Sequence, residues 1–208
     1  GTNGKRALIV CGGTGCLSSD SAAIIEEIER QIKERGLEEK VTVNKVGCFG
    51  FCSQGPFVKI FPEDTLYRTV SVADVAEIVE KDLINNEIVE RLLYVDPTSG
   101  QKVQKQDEIN FYKKQLRLAL HGCGTINPEN IDEALGDGAF QGITKALKMT
   151  QQEVVDEVLA SGLRGRGGGG FPTGRKWQFA LNQQSEEKYV VCNGDEGDPG
   201  AFMDRSIL

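Results

Sequence analysis

The chain has 208 residues, 39% apolar and 26% charged, with a formal net charge of −7 and an isoelectric point near 4.9. That length holds one large or two small domains, and the acidic balance argues against nucleic acid as the main partner. No apolar run approaches the roughly 18 residues of a spanning helix, and the opening GTNGKRALIV is too short in its apolar part for a signal peptide.

Ala7 to Val10 is an apolar run that ends at Cys11, a buried strand feeding a loop, CGGTGC, that also holds Cys16. Asp20 or Ser21 can cap a helix with Ile24, Ile25, Ile28 and Ile32 on one face and Gly36 at its end. Val41 and Val43 alternate with polar residues up to Val46, a second strand running into the loop CFGFC with Cys48 and Cys52. Phe57 to Phe61 and Leu66 to Val70 read as a hairpin around Pro62, Glu63 and Asp64, and Gly55-Pro56 is a candidate cis peptide. Ser71 and Asp74 resemble a capping box for a helix through Val75, Ile78 and Val79.

Four thiolates from two loops can hold one metal centre, and six cysteines clustered in this way suit a reducing compartment, the cytoplasm, better than extracellular bridges. Gly12, Gly13, Gly15, Gly47 and Gly50 let backbone N–H groups approach the sulfides of an iron–sulfur cluster, using turns with φ > 0. A zinc site is the first alternative, although neither pair has the tight C-x2-C spacing, and a disulfide framework is the second. The βα then βββα order resembles the thioredoxin-like [2Fe–2S] ferredoxins, whose ligands follow the same C-x4-C and C-x3-C order. That resemblance implies a [2Fe–2S] cluster on Cys11, Cys16, Cys48 and Cys52.

Residues 84–108 read as a charged linker with a DPTSG turn at Asp96 to Gly100. Phe111 to Leu120 is expected as an amphipathic helix stopped by Gly122, and Asn127-Pro128 as the start of another. Thr150 and Glu153 form a capping box for a helix over 151–161 with Val154, Val155, Val158 and Leu159 inward and Gly162 at its end. Residues 109–162 thus form a helical connector. His121 and Cys123 supply at most half of a tetrahedral metal site and are read as structural, and Cys192 as a small buried residue. With a single histidine, Ser-His or Cys-His nucleophilic catalysis has no support, and no catalytic residue is assigned.

From Gly162 the chain reads GLRGRGGGGFPTGRKWQF. Gly165 to Gly170 match G-x-G-x-x-G, but a helix precedes them where a Rossmann fingerprint needs a strand; a Walker A loop fails because Arg175 follows Gly174. The loop still offers bare N–H groups. Thr173 can cap the helix behind it, Arg164, Arg166, Arg175 and Lys176 form a basic island, and Phe171, Trp177 and Phe179 provide ring surfaces. The alternative is a glycine hinge with solvated arginines. Lys188 to Cys192 is expected as a strand opening into NGDEGDPG, with a helix from near Pro199. Asn193, Asp195, Glu196 and Asp198 at its carboxyl end suit sugar hydroxyls or flavin N–H edges; calcium is the alternative, although the segment lacks the EF-hand pattern.

RGRGGGGFPTGRKW and CNGDEGDPGAFMDR resemble the flavin- and NADH-binding subunit family of complex I. Within it the chain looks most like the beta subunit of NAD(P)-linked, electron-bifurcating [FeFe] hydrogenases, where the ferredoxin is fused ahead of the flavin domain. The resemblance implies that Gly165, Gly167, Gly168, Lys176, Asn193, Asp195 and Glu196 contact FMN, with Arg166 in the same loop, and that Phe171, Phe179 and Asp198 face NAD(P)H. Gly169 and Asp198 stand where many relatives carry Ala and Glu. The implied fold class is α/β: a thioredoxin-like [2Fe–2S] ferredoxin domain over 1–83 and the truncated start of an α/β FMN/NAD(P)H-binding domain over 163–208.

The implied function is electron transfer between NAD(P)H, FMN and iron–sulfur clusters, with Lys176 stabilising charge on reduced flavin. A [4Fe–4S] cluster is expected only beyond residue 208, and the 208 residues alone are expected to be inactive. The implied partners are a hydrogenase catalytic subunit and a small ferredoxin-like subunit. Alternatives are the diaphorase subunit of an NAD-dependent formate dehydrogenase or an NADH:quinone oxidoreductase, an electron-carrier ferredoxin module, and a zinc-bound adaptor.

Overall fold

The computed structural model describes residues 5–118 and 120–201, and the chain divides into two compact units, 1–140 and 141–208. The first is built on β1 (Arg6–Cys11), whose alternation sends Leu8 and Val10 to one face of the sheet and Ile9 and Cys11 to the other. α1 (Thr14–Leu17) is a single turn carrying Cys16, and α2 (Ser21–Glu34) makes the crossover to β2 (Val41–Val46), which lies parallel to β1. β3 (Val58–Phe61) runs antiparallel to β1, and β4 (Thr65–Tyr67) antiparallel to β3, giving the order β2-β1-β3-β4. α3 (Val75–Glu77) continues as a π-helical segment, Ile78–Ile84.

The expected helical spacing is met: Ile24, Ile28 and Ile32 of α2 are buried with Leu8, Val10, Val58, Ile60, Val75 and Ile78 in one cluster. Each such side chain contributes about 1.5–3 kcal/mol relative to exposure. Gly36 ends α2 at φ 64. Asp20 precedes it with φ 63 but makes no side-chain capping bond. Ser71 donates its N–H and its hydroxyl to Asp74 Oδ2, at 2.8 and 2.6 Å, which is the capping arrangement expected there. Gly55-Pro56 is cis, and so is Phe61-Pro62.

Residues 84–108 differ from the expected linker. Val89, Leu92 and Leu93 enter the core, and β5 (Tyr94–Val95) and β6 (Lys102–Val103) form a small hairpin turning at the expected Asp96–Gly100. Leu93 and Lys105 bridge to Tyr67 and Thr65, and the Leu66 N–H donates to the Gln104 carbonyl at 2.9 Å. The segment therefore covers the outer edge of β4, which would otherwise present unpaired backbone groups. A buried polar network closes this side: Tyr67 Oη donates to Asp82, Arg6 donates to Asp82 Oδ1 at 2.5 Å, and the Val89 N–H donates to Tyr67 Oη at 3.1 Å.

The amphipathic helix expected over 111–120 is reduced to α4 (Asn110–Lys113). Leu116, Leu118 and Leu120 are exposed; their spacing of two scatters them around a helix, so no continuous apolar stripe exists to support one. α5 (Ile131–Gly136) is capped by Asn130, not Asn127: Asn130 Oδ1 accepts from the N–H groups of Asp132 and Glu133 at 3.0 and 3.3 Å. Asn127 Oδ1 is engaged earlier, by the Glu129 N–H at 3.0 Å.

The second unit contains α6 (Gln141–Ala146), α7 (Gln151–Ala160) and α8 (Thr173–Leu181). Thr150 and Glu153 form the expected capping box on α7, whose inward face is narrower than expected: Val155 is buried, Leu159 is not, and Gly162 follows at φ 68. Residues 188–192 form no strand among the described residues, and Tyr189, Val190 and Val191 are exposed. Cys192 is consequently exposed as well, contrary to the buried strand end expected for it. A parallel strand needs neighbours on both edges for its backbone groups, and none is described beside this segment. The helix expected near Pro199 shows only a turn, with the Ala201 N–H on the Asp198 carbonyl at 3.0 Å. The remainder of that motif, Phe202 to Arg205, lies outside the described residues. No helix among the described residues is long and apolar enough to cross a membrane.

Candidate metal centre and glycine-rich loop

β1 and β2 are parallel neighbours in register Cys11 with Val46, so the loops that follow them leave the sheet at the same end. This is why CGGTGC and CFGFC meet. Each loop presses on the other's cysteines. A Cβ at Gly13 would lie 2.8 Å from Cys48 Cβ, one at Gly15 would lie 3.5 Å from Cys52 Sγ, and one at Gly55 would lie 2.6 Å from Cys16 Sγ. Gly13 and Gly55 have φ −65 and −77, open to any residue, so close approach to sulfur and not backbone handedness demands glycine there. Of the five glycines expected to serve φ > 0 turns, only Gly50 does, at φ 82.

The sulfurs stand as two pairs. Cys11 and Cys16 are buried and electrostatically coupled, whereas Cys48 is half-buried, Cys52 is exposed, and the sulfurs of these last two are 3.8 Å apart. The Gly50 N–H donates to Cys48 Sγ at 3.2 Å. The Cys16 thiol, outweighing burial, brings Cys11 down to about 6. The Cys11 side chain, then burial, pushes Cys16 up, and burial pushes Cys48 up. Among the described residues no three Cys, His, Asp or Glu side chains close on a single-ion position. Paired sulfurs, glycine-cleared space and a sulfur-directed N–H group fit an iron–sulfur core better than one tetrahedral zinc ion.

Residues outside the cysteine motifs build the wall of this site. Phe49 and Phe57 are fully buried with ring centroids 5.5 Å apart, and Phe51 stacks on Phe111 at 4.2 Å. Tyr112 Oη donates to the Phe49 carbonyl at 3.1 Å, and the Gly47 N–H donates to the Ile126 carbonyl at 3.0 Å. The sequence reading singled out none of these residues; the places of Phe49 and Phe51 between the ligands in CFGFC are the signal that could have found them, and Tyr112 and Ile126 carry no comparable one. His121 and Cys123 form no joint site: His121 Nε2 lies 3.0 Å from Asp137 Oδ2.

In the second unit the glycine loop is closed at its neck. Arg164 bridges to Pro172, the Gly165 N–H donates to the Phe171 carbonyl at 2.9 Å, and the Thr173 N–H donates to the Leu163 carbonyl at 2.9 Å. Gly168 and Gly170 have φ 97 and 59, and a Cβ at any of Gly167 to Gly170 would meet nothing within 4 Å. The loop is an open surface of bare backbone, the property a planar or phosphorylated ligand requires. Thr173 is the first residue of α8 and makes no capping bond; Pro172 stands at the cap position. Phe171 and Phe179 approach to 6.3 Å between centroids and are exposed, as are Trp177, Arg164, Arg166, Arg175 and Lys176. Gly165, Phe171 and Phe179 are therefore brought together. Asn193, Asp195 and Asp198 are exposed and Glu196 is half-buried, in a loop held locally by the Asp195 N–H on Asn193 Oδ1 at 3.0 Å and not at the end of a strand.

Residues 2–82 match the thioredoxin-like [2Fe–2S] ferredoxin family, and residues 158–208 match the Nuo51 FMN-binding domain. The chain is 46% identical over 77 residues to "Ferredoxin, 2Fe-2S" of Clostridium pasteurianum, covering 37% of this chain and 76% of that protein. It is 57% identical over 96 residues to NADP-reducing hydrogenase subunit HndC of Solidesulfovibrio fructosivorans, covering 46% of this chain and 19% of that subunit. To an NADH-quinone oxidoreductase subunit of Aquifex aeolicus it is 53% identical over 93 residues, covering 45% of this chain and 22% of that subunit. The matched segment spans 19% and 22% of the length of these two subunits. A solved thioredoxin-like [2Fe–2S] ferredoxin from Aquifex aeolicus aligns at 30% identity and TM-score 0.40, over 42% of this chain and 88% of that one. The chain belongs to the thioredoxin-like [2Fe–2S] ferredoxin family, with a match to the Nuo51 FMN-binding domain over residues 158–208.

Proposed function

We propose that this chain is the ferredoxin-bearing, flavin-proximal part of a subunit of a multi-subunit NAD(P)-linked oxidoreductase, of the kind found in NAD(P)-reducing hydrogenases. The observation that carries this reading is the convergence of Cys11, Cys16, Cys48 and Cys52 from two loops, followed in the same chain by a glycine loop and basic helix. When bound, FMN supplies exchange between a hydride and single electrons, and a [2Fe–2S] cluster supplies one-electron storage.

Cys11, Cys16, Cys48 and Cys52 would hold the cluster, and the exposed Cys48/Cys52 side is the one a redox partner reaches. Gly165, Arg166, Gly167, Gly168, Lys176, Asn193, Asp195 and Glu196 would line FMN, with Lys176 and its neighbouring arginines opposing negative charge. Phe171, Phe179 and Asp198 would receive the nicotinamide nucleotide. We place the protein in the cytoplasm, in contact with a hydrogenase catalytic subunit and a small ferredoxin-like subunit.

The test is anaerobic purification followed by iron and acid-labile sulfide analysis and EPR after reduction. Equal iron and sulfide with a reduced-state EPR signal is the expected result. Stoichiometric zinc, or neither metal nor sulfide, overturns the reading. Flavin content and NAD(P)H bleaching of the natural full-length subunit then test the remainder.

A further inference from the structure

We propose that Arg117 is a charge-tuning residue for the four-cysteine centre: its guanidinium, brought to Gly50 from outside the ferredoxin-matched segment, favours the reduced state of a bound cluster. This rests on the cluster reading above. Arg117 Nη2 lies 3.5 Å from where a Cβ on Gly50 would stand, and Gly50 is the residue whose N–H donates to Cys48 Sγ at 3.2 Å. The match to the ferredoxin family ends at residue 82, so this cation is supplied by the segment that leads on towards the flavin-binding match.

Two further observations set Arg117 apart. It is half-buried, and among the described residues it forms no ion pair, although Asp107 lines the same cleft. Lys45 and Lys59, the nearby lysines of the sheet, are both spent: Lys45 on Glu129 at 2.7 Å and Lys59 on Asp64 at 2.6 Å. The segment carrying Arg117 is anchored on the second cysteine loop by Tyr112 to Phe49 and by Gly47 to Ile126. Arg117 and the cysteines Cys11, Cys48 and Cys52 act on the buried Tyr112 hydroxyl in opposite directions, the cation opposing the cysteines.

The physics is a charge argument. A [2Fe–2S] core on four thiolates is anionic when oxidised and gains one more negative charge when it accepts an electron. A cation held beside the second cysteine loop therefore stabilises the reduced form more than the oxidised form. Salt weakens the effect only partly, because the cation is partly buried.

The experiment is a potentiometric titration of the 208-residue chain, purified anaerobically, with dithionite as electron donor and the reduced-state EPR signal as readout. Arg117→Gln and Arg117→Ala are expected to lower the reduced-to-oxidised ratio at a fixed ambient potential by about tenfold, ~59 mV for a one-electron couple. Arg117→Lys is expected to retain most of the wild-type value, with iron and sulfide content unchanged in all three. Neutral variants that titrate with the wild type overturn the inference while leaving the cluster reading intact. So does a lysine variant that shifts as far as the neutral ones, or loss of iron from both neutral variants, since either indicates a structural role. A wild-type chain without iron overturns both.

Discussion

Tyr112 reaches back 63 residues to donate its hydroxyl to the Phe49 carbonyl, inside the second cysteine loop, at 3.1 Å. Both groups are buried, and burial raises the phenol so that it stays a donor. Tyr112→Phe leaves that carbonyl without its partner in an aromatic pocket. The variant is expected to lose about 1–2 kcal/mol of unfolding free energy, measured by denaturant titration of the first unit. A Tyr112→Phe variant as stable as wild type beside a destabilised Tyr112→Leu, which also removes the ring, would show that packing and not the hydrogen bond is responsible.

The reach of Tyr112 also marks where sequence reading stops. The core strands, α2 and the cysteine loops were legible because each has a period: alternation in Leu8 to Cys11, helical spacing in Ile24, Ile28 and Ile32, and cysteines at the ends of adjacent parallel strands. Residues 89–112 have no period to read. β5 and β6 are two residues each, and the segment is held by single bridges to Thr65 and Tyr67, which only the folded β4 edge reveals. Of the five loop glycines expected to serve φ > 0 turns, Gly13 is kept free of a side chain by contact with Cys48 and not by a positive φ, and Gly55, read only as part of a cis Gly-Pro candidate, is kept free in the same way by Cys16 Sγ.

Gly55 makes that distinction testable. Its φ of −77 suits alanine, but the added Cβ would lie 2.6 Å from Cys16 Sγ. Gly55→Ala is expected to destabilise the cysteine loops by about 1–3 kcal/mol through overpacking and to reduce the iron retained per chain after anaerobic gel filtration. Gly100, at φ 71 with open space around it, provides the contrast: Gly100→Ala strains the backbone of a surface turn and is expected to leave iron content unchanged.

Asp74 gives the first unit a pH dependence remote from the cysteines. Burial alone would raise its carboxyl; the Ser71 hydroxyl and N–H, with Arg91, outweigh it and hold Asp74 below the usual carboxylate range. Because the folded value lies below the unfolded value of about 3.9, the ionised cap stabilises fully at neutral pH and that contribution is lost as pH falls through the folded value. Asp74→Asn is therefore expected to cost about 1 kcal/mol at pH 7, with wild type and variant converging as pH falls through the folded value. Parallel stability curves across that window would contradict the assignment.

Gly174 tests the second unit, because two effects of known size oppose each other there. It sits in the first turn of α8, where alanine is the better helix former by about 1 kcal/mol. A Cβ at Gly174 would lie 2.7 Å from the backbone nitrogen of Leu159 and 2.8 Å from its Cα, and backbone cannot swing aside as a side-chain end can. Gly174→Ala must therefore part α7 from α8, and a net loss of about 1–3 kcal/mol is expected. Gly142 in α6 has nothing within 4 Å of its Cβ position, so Gly142→Ala is expected to be neutral or stabilising by up to about 1 kcal/mol. Thermal unfolding of the pair separates the two effects. Because α8 also carries Arg175, Lys176 and Phe179 behind the glycine loop, the same displacement is expected to weaken FMN retention in the full-length subunit, and Gly142→Ala is not.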